Sequence, residues 1–230
     1  MIPANALIVL LVLPFFGSVA AALIPAGRNP EAWLSGAVAV AGLLLTVSIY
    51  PAVVDGGVAT HVLSWLPTFG INLRIRVDGL AWLFLALIYA IGLLVVIYAR
   101  YYLSPKDPAT RFFACLLAFM GAMAGVVLSG NLVMLVVFWE LTSLFSFLLI
   151  GFWRQSAAAR DGARMALIVT AFGGLCLLAG VLLIGRIVGS YDLDRVLASA
   201  DLIRAHPLYR PALILVLLAA FTKSAQFPFH

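Results

Sequence analysis

FWELTSLFSFLLIGFW, running from Phe138 to Trp153, is the stretch on which the reading of this chain turns. It is apolar almost throughout, yet it carries one carboxylate, Glu140. A charge at the centre of a membrane helix costs about 2.5–3.5 kcal/mol on insertion scales. An acid kept there against that cost is a functional candidate.

The rest of the chain agrees with a bilayer as the main solvent. Of its 230 residues, 65% are hydrophobic and only 10% charged, with a mean hydropathy of +1.16. Soluble domains are roughly half apolar and about a quarter charged. The expectation is an all-α polytopic membrane protein. The formal net charge of +5 is scattered through short loops and forms no basic patch, so nucleic acid is not an expected partner. Cys115 and Cys176 lie inside apolar runs without metal or redox spacing, and read as small packing residues. The first 25 residues lack a basic start, so they read as a retained helix and not as a signal peptide.

A hydrocarbon core of about 30 Å takes about 20 apolar residues per helix. About seven transmembrane helices are expected, near 4–25, 31–54, 79–101, 110–129, 131–152, 163–188 and 210–227. Two connections are long. In 55–78, VATHVLSWLP and INLRIRVDG alternate around Pro-Thr-Phe-Gly, which predicts a short surface β-hairpin. In 189–209, Asp192 or Asp194 is placed to cap a short interfacial helix with Val196, Leu197, Leu202 and Ile203 on one side. Arg28, then Arg100, Lys106 and Arg111, then Arg154, Arg160 and Arg164 occupy the odd-numbered connections. The positive-inside rule puts those in the cytoplasm and the hairpin outside. Close-packing patterns appear as GAMAG at 121–125 and as Ala166, Thr170 and Gly174, and predict a tight bundle.

Among 14 basic and 9 acidic side chains, Glu140 and Lys223 are the two that fall well inside predicted spans. Glu140 lies nine residues past Asn131, about 14 Å deep, and Lys223 twelve past Pro211, about 18 Å deep. Both helices enter from the same face on this topology, so acid and base share a level. Thr142, Ser143 and Ser146 add hydroxyls to the side of Glu140. Lys223, Gln226 and His230 recur at helical spacing. Pro228 cannot donate to the carbonyl of Ser224, so TKSAQFPFH reads as a broken, hydrated helix. Lysine and histidine are titratable within reach of neutral pH when their surroundings are tuned. The pair is thus a candidate proton relay, or else a static ion pair fixing two helices.

WELTSLFSFLLIGFW and FTKSAQFPFH resemble the fifth- and seventh-helix motifs of antiporter-like membrane subunits. That superfamily takes in Mrp-type multisubunit cation/proton antiporters, the proton-pumping subunits of complex I and membrane hydrogenases. VDGLAWLF at 77–84 and RFFACLLAFMGAMAGVVLSGNL at 111–132 extend the resemblance over essentially the whole chain. It is nearest to the A-type subunit of the Mrp antiporters, since Leu141 follows the glutamate where complex I relatives usually have glycine. The resemblance implies the first part of an antiporter-like inverted-repeat fold. Residues 1–108 would be three leading helices with the hairpin, and 109–230 the start of the translocation repeat. It implies a relay of Glu140, Lys223 and His230, no cofactor, and exchange of Na+ or another monovalent cation for protons. Its setting would be a bacterial plasma membrane, among other membrane subunits. The alternative it leaves open is a proton-pumping subunit of an NADH-quinone oxidoreductase or membrane hydrogenase. Family members are several times longer, so the chain is expected to be a fragment.

Overall fold

The computed structural model describes residues 4–24, 28–66 and 71–229. The Pro-Thr-Phe-Gly turn and His230 lie outside the described residues. Helices dominate, as backbone hydrogen bonding in hydrocarbon demands. They are α1 (Ala4–Leu23), α2 (Arg28–Ser48), α3 (Gly79–Tyr102), α4 (Ala109–Leu128), α5 (Leu132–Ile150) and α6 (Ala157–Val188), followed by the short α7 (Leu193–Ala198) and α8 (Ala200–Ala205) and then α9 (Tyr209–Lys223). Two strands, β1 (Ala59–Leu66) and β2 (Ile71–Val77), pair as a two-stranded sheet between α2 and α3, where alternation predicts the hairpin.

Among the described residues, six helices, α1 to α6, are long and apolar enough to cross a membrane. The seventh expected span is shorter than its apolar run. α9 has 15 residues, about 22 Å of helix. It stops at Lys223, so the helix ends before Pro228 instead of being broken by it. The ending has the hydrogen bonds of a Schellman closure. The Gln226 N–H reaches the Phe221 carbonyl at 3.0 Å and the Ala225 N–H the Thr222 carbonyl at 3.4 Å, with Ala225 at φ 49°. α6 runs the other way, starting six residues before its predicted span. Arg160, Asp161 and Arg164 lie in those first turns and are exposed, so that end of the helix is built for water. Its far end closes on Gly189, whose φ of 72° suits glycine.

The chain forms two compact units, Met1–His61 with Ile75–Leu128, and Val62–Arg74 with Ser129–His230. In the first, α1 to α4 pack closely. Gly121 of the GAMAG motif lies against the Phe15 ring, where a methyl would come within 2.9 Å of it. The phenol of Tyr89, fully buried, donates to the Leu10 carbonyl at 2.6 Å. Glu31, in the first turn of α2, is fully buried and accepts from the Thr110 hydroxyl. Its place at the edge of an apolar run gives no sign of that burial.

In the second unit, α6 packs against both α5 and α9. Cys176 lies in that core with Val136, Leu177, Val181 and Ala219, as a packing residue does. The interfacial helix expected in 189–209 is divided at Ser199 into α7 and α8. Asp192 occupies the cap position of α7 without capping it. Its carboxylate goes instead to Arg74, at 3.4 Å, which also holds Asp194 at 3.0 Å.

Asp78 caps α3 through the Ala81 N–H at 2.9 Å. Burial pushes its carboxyl up, but that amide and the Arg76 guanidinium beside it outweigh burial and hold it below the usual carboxylate range. A depressed carboxylate adds stability above its unfolded value and loses it as pH falls through the folded one. Asp78→Ala is therefore expected to cost about 1 kcal/mol at neutral pH. The deficit should shrink below about pH 4. Thermal unfolding of wild type and variant in detergent at pH 7 and pH 3 checks both.

Candidate functional site

The site is built from the end of α5 inward. Asn131, fully buried, caps that helix through the N–H groups of Val133 at 2.9 Å and Met134 at 3.4 Å. Gly130, just before it, donates to the Arg74 carbonyl at 2.7 Å and accepts from the Leu193 N–H at 3.0 Å. Leu132 donates to the Tyr191 carbonyl at 2.8 Å. An antiparallel bridge joins Asn131 to Asp192. The second, fourth and sixth connections thus meet at one end of the unit, as helices crossing in turn require. The cap sets the level of Glu140, nine residues on.

Glu140 faces α6. Its Oε1 lies so close to Gly174 that any side chain there would overlap the carboxylate. One residue earlier on α6, Gly173 leaves the same kind of room for Thr222 of α9. The Gly-Gly step thus admits α5 and α9 side by side onto one helix. Glu140 Oε1 is buried and has no hydrogen-bond partner among the described residues. The carboxylate also borders an open, largely apolar groove of about 540 Å³ between α5 and α6, whose walls include Val133, Val137, Ser143, Leu144, Leu167 and Leu178.

Lys223 is the last helical residue of α9 and is half-buried. It reaches α5, as equal depth predicts, but not by an ion pair. Its Nζ donates to Thr142 Oγ1 at 2.5 Å and to Ser143 Oγ at 3.0 Å. It also sits 5.3 Å from the centre of the Trp139 ring. The charges of Glu140 and Lys223 still act on each other across this short span. The structure therefore brings Thr142, Ser143 and Lys223 together, while Glu140, on the same helix, turns to Gly174 of α6.

Two expectations are corrected. Gln226 does not share a helical face with Lys223, because α9 has already ended; it is exposed. Thr142 is not on the side of Glu140, since two residues along an α-helix is a turn of about 200°. The feature that carried no signal of its own was Gly173, hidden beside a Gly174 that reads only as part of a packing pattern.

The family model described as NADH:quinone oxidoreductase/Mrp antiporter, TM, matches residues 129–230. The one described as NADH-Ubiquinone oxidoreductase (complex I), chain 5 N-terminus, matches residues 65–113. The chain is 58% identical over 223 residues to the probable K(+)/H(+) antiporter A/B-type subunit of Rhizobium meliloti (strain 1021), covering 96% of this chain and 22% of that protein. It is 49% identical over 176 residues to the A-type subunit of the Na(+)/H(+) antiporter of Alkalihalophilus pseudofirmus, covering 76% of this chain and 22% of the relative. A chain in the solved structure of the Mrp complex from Dietzia sp. DQ12-45-1b superposes with a TM-score of 0.83 at 31% identity, over 98% of this chain and 24% of that one. The chain spans between a fifth and a quarter of the length of these relatives. With both family models matched and identity running along almost all of its residues, the chain belongs to the NADH:quinone oxidoreductase/Mrp antiporter family of membrane subunits, in the line of the A-type antiporter subunits.

Proposed function

We propose that this chain is part of a monovalent cation/proton antiporter, and that it carries the first stations of its proton path. The observation that supports this best is the meeting of α5 and α9 on α6. It sets an acid and an ammonium within each other's field at one level of the membrane. An isolated pair of ions buried for packing alone would gain most from direct contact and full hydrogen bonding. Here Glu140 keeps an oxygen that no described residue bonds, beside an open groove, and Lys223 rests on hydroxyls. Both groups are therefore free to exchange a proton without dismantling a salt bridge.

Proton transfer between them needs no cofactor. The lysine ammonium passes a proton to the carboxylate, and each group then takes or releases a proton on its other side. From the sequence, His230 is the next station. The exchanged ion is monovalent, Na+ or K+, following the named activities of the relatives. The setting is a bacterial plasma membrane and the partners are other membrane subunits of the same complex.

The test uses the full-length protein in its complex, in everted vesicles energised by respiration, with a pH-sensitive dye. Addition of Na+ or K+ should cause a dye response that Glu140→Gln and Lys223→Ala each reduce by about a hundredfold or more, with the complex still assembled. Wild-type responses in both variants would remove the relay. Gly174→Ala forces a methyl into the space of the Glu140 carboxylate. It is expected to lower the melting stability of the complex by about 1–3 kcal/mol and to depress transport. Ala at Gly162, where nothing lies within 4 Å, should do neither.

A further inference from the structure

Thr142 and Ser143 are buried, at 4% and 2% exposure. As consecutive helical residues they point about 100° apart, so a single group approaching between them meets both. Each hydroxyl has its own hydrogen directed elsewhere. Thr142 donates to the Trp139 carbonyl at 2.6 Å and Ser143 leans to the same carbonyl at 3.4 Å. What the two oxygens present to α9 is lone pairs. The lysine ammonium has three donors and no acceptor, and it donates to both. The indole face of Trp139 adds a third surface that attracts a cation. Glu140 sits next to Trp139 in sequence but turns to Gly174 of α6, and Lys223 makes no direct ion pair with it.

We propose that Thr142, Ser143 and the Trp139 ring form a resting cradle for the Lys223 ammonium, holding the charged lysine in register with Glu140 but apart from it. This rests on the relay reading above and adds positioning residues to it. A direct ion pair in hydrocarbon would be hard to leave, because separation exposes two uncompensated charges. Neutral hydroxyl acceptors hold an ammonium less firmly, and moving off them leaves no orphaned charge behind. In the step itself the ammonium swings from the hydroxyls to Glu140. One N–H bond breaks and one O–H bond forms, giving a neutral amine and a carboxylic acid. The charge of the pair is unchanged, and no other reactant is needed.

The cradle is tested in the full-length complex by Thr142→Val, Ser143→Ala and their double variant, with Thr142→Ser and Ser143→Thr as conservative partners. Valine keeps the shape of threonine and removes the hydroxyl, both the acceptor for Lys223 and the donor to the Trp139 carbonyl. Assembly is followed by co-purification, and transport by the cation-induced dye response over a range of pH. The double variant should lose roughly tenfold or more of the rate and displace the midpoint of the pH profile. The two conservative variants should stay within about twofold, with the wild-type profile. A wild-type rate and profile in the double variant would overturn the cradle. So would an equal loss in Thr142→Ser and Thr142→Val, since shape and not the hydroxyl would then be at issue. If the double variant does not assemble, the contrast between those two single variants decides. Inactive Glu140→Gln alongside an active double variant rejects the cradle and leaves the relay standing. Active Glu140→Gln and Lys223→Ala reject both.

Discussion

Glycine at 173 and 174 is the constraint on which the site depends. Hydrocarbon offers helices no hydrophobic reason to associate, so contact between them comes from close packing and from polar groups that meet. At Gly173–Gly174 both occur together. The Glu140 carboxylate fills the place of one missing side chain and Thr222 the place of the other. α5 and α9 are thereby drawn to a single level of α6, near enough for Lys223 to cross to Thr142. With side chains at those positions, the Glu140 carboxylate and the Thr222 hydroxyl would have to leave the places they now occupy on α6. The acid, the hydroxyls and the amine would then no longer share one small volume.

The end of α9 answers a second requirement. Lysine near the middle of a continuous span would have to find all its compensation in neighbouring side chains. At the last turn of a helix it also meets the partial negative charge of carbonyls that lack intrahelical partners. α9 supplies that ending at Lys223 itself. The chain accepts a left-handed alanine at Ala225, a conformation that costs a non-glycine residue about 1–2 kcal/mol. Two closing hydrogen bonds to Phe221 and Thr222 offset part of that cost.

Most of the framework was legible in the sequence because lipid makes the pattern coarse. Six of the seven expected apolar runs and the strand alternation between α2 and α3 each follow from one strong physical rule. What was not legible depends on partners far away in the chain. Glu31 stands at the first residue of an expected span, and where it is buried its partner is a threonine 79 residues later. Asp192 looked like a helix cap, and a strand arginine 118 residues earlier claims it. The helix end at Lys223 has no glycine to announce it, since Ala225 takes the position where glycine is the usual signal. Thr142 and Ser143 were visible as hydroxyls, but only the direction of their hydrogens toward Trp139 shows what they offer.

The remaining question is why α5 should be fixed so firmly at one end when its work lies nine residues inside. A helix slipped by one residue moves about 1.5 Å along its axis and turns about 100°. Such a slip would carry Glu140 off Gly174 and bring Leu141 to the carboxylate's place. It would also exchange the Thr142–Ser143 pair for Ser143–Leu144, leaving Lys223 one acceptor fewer. Side-chain packing resists this only weakly, because Val, Leu and Phe recur along α5 and one apolar residue fits much like another. The backbone bonds at Gly130 and Leu132 and the buried cap at Asn131 cannot be exchanged in that way. Gly130 and Leu132 are tied to residues of other connections, Arg74, Leu193 and Tyr191, and the Asn131 cap fixes where α5 itself begins. Polar bonds at the end of α5 thus specify the register that its apolar body leaves undefined, and the position of the acid follows from them.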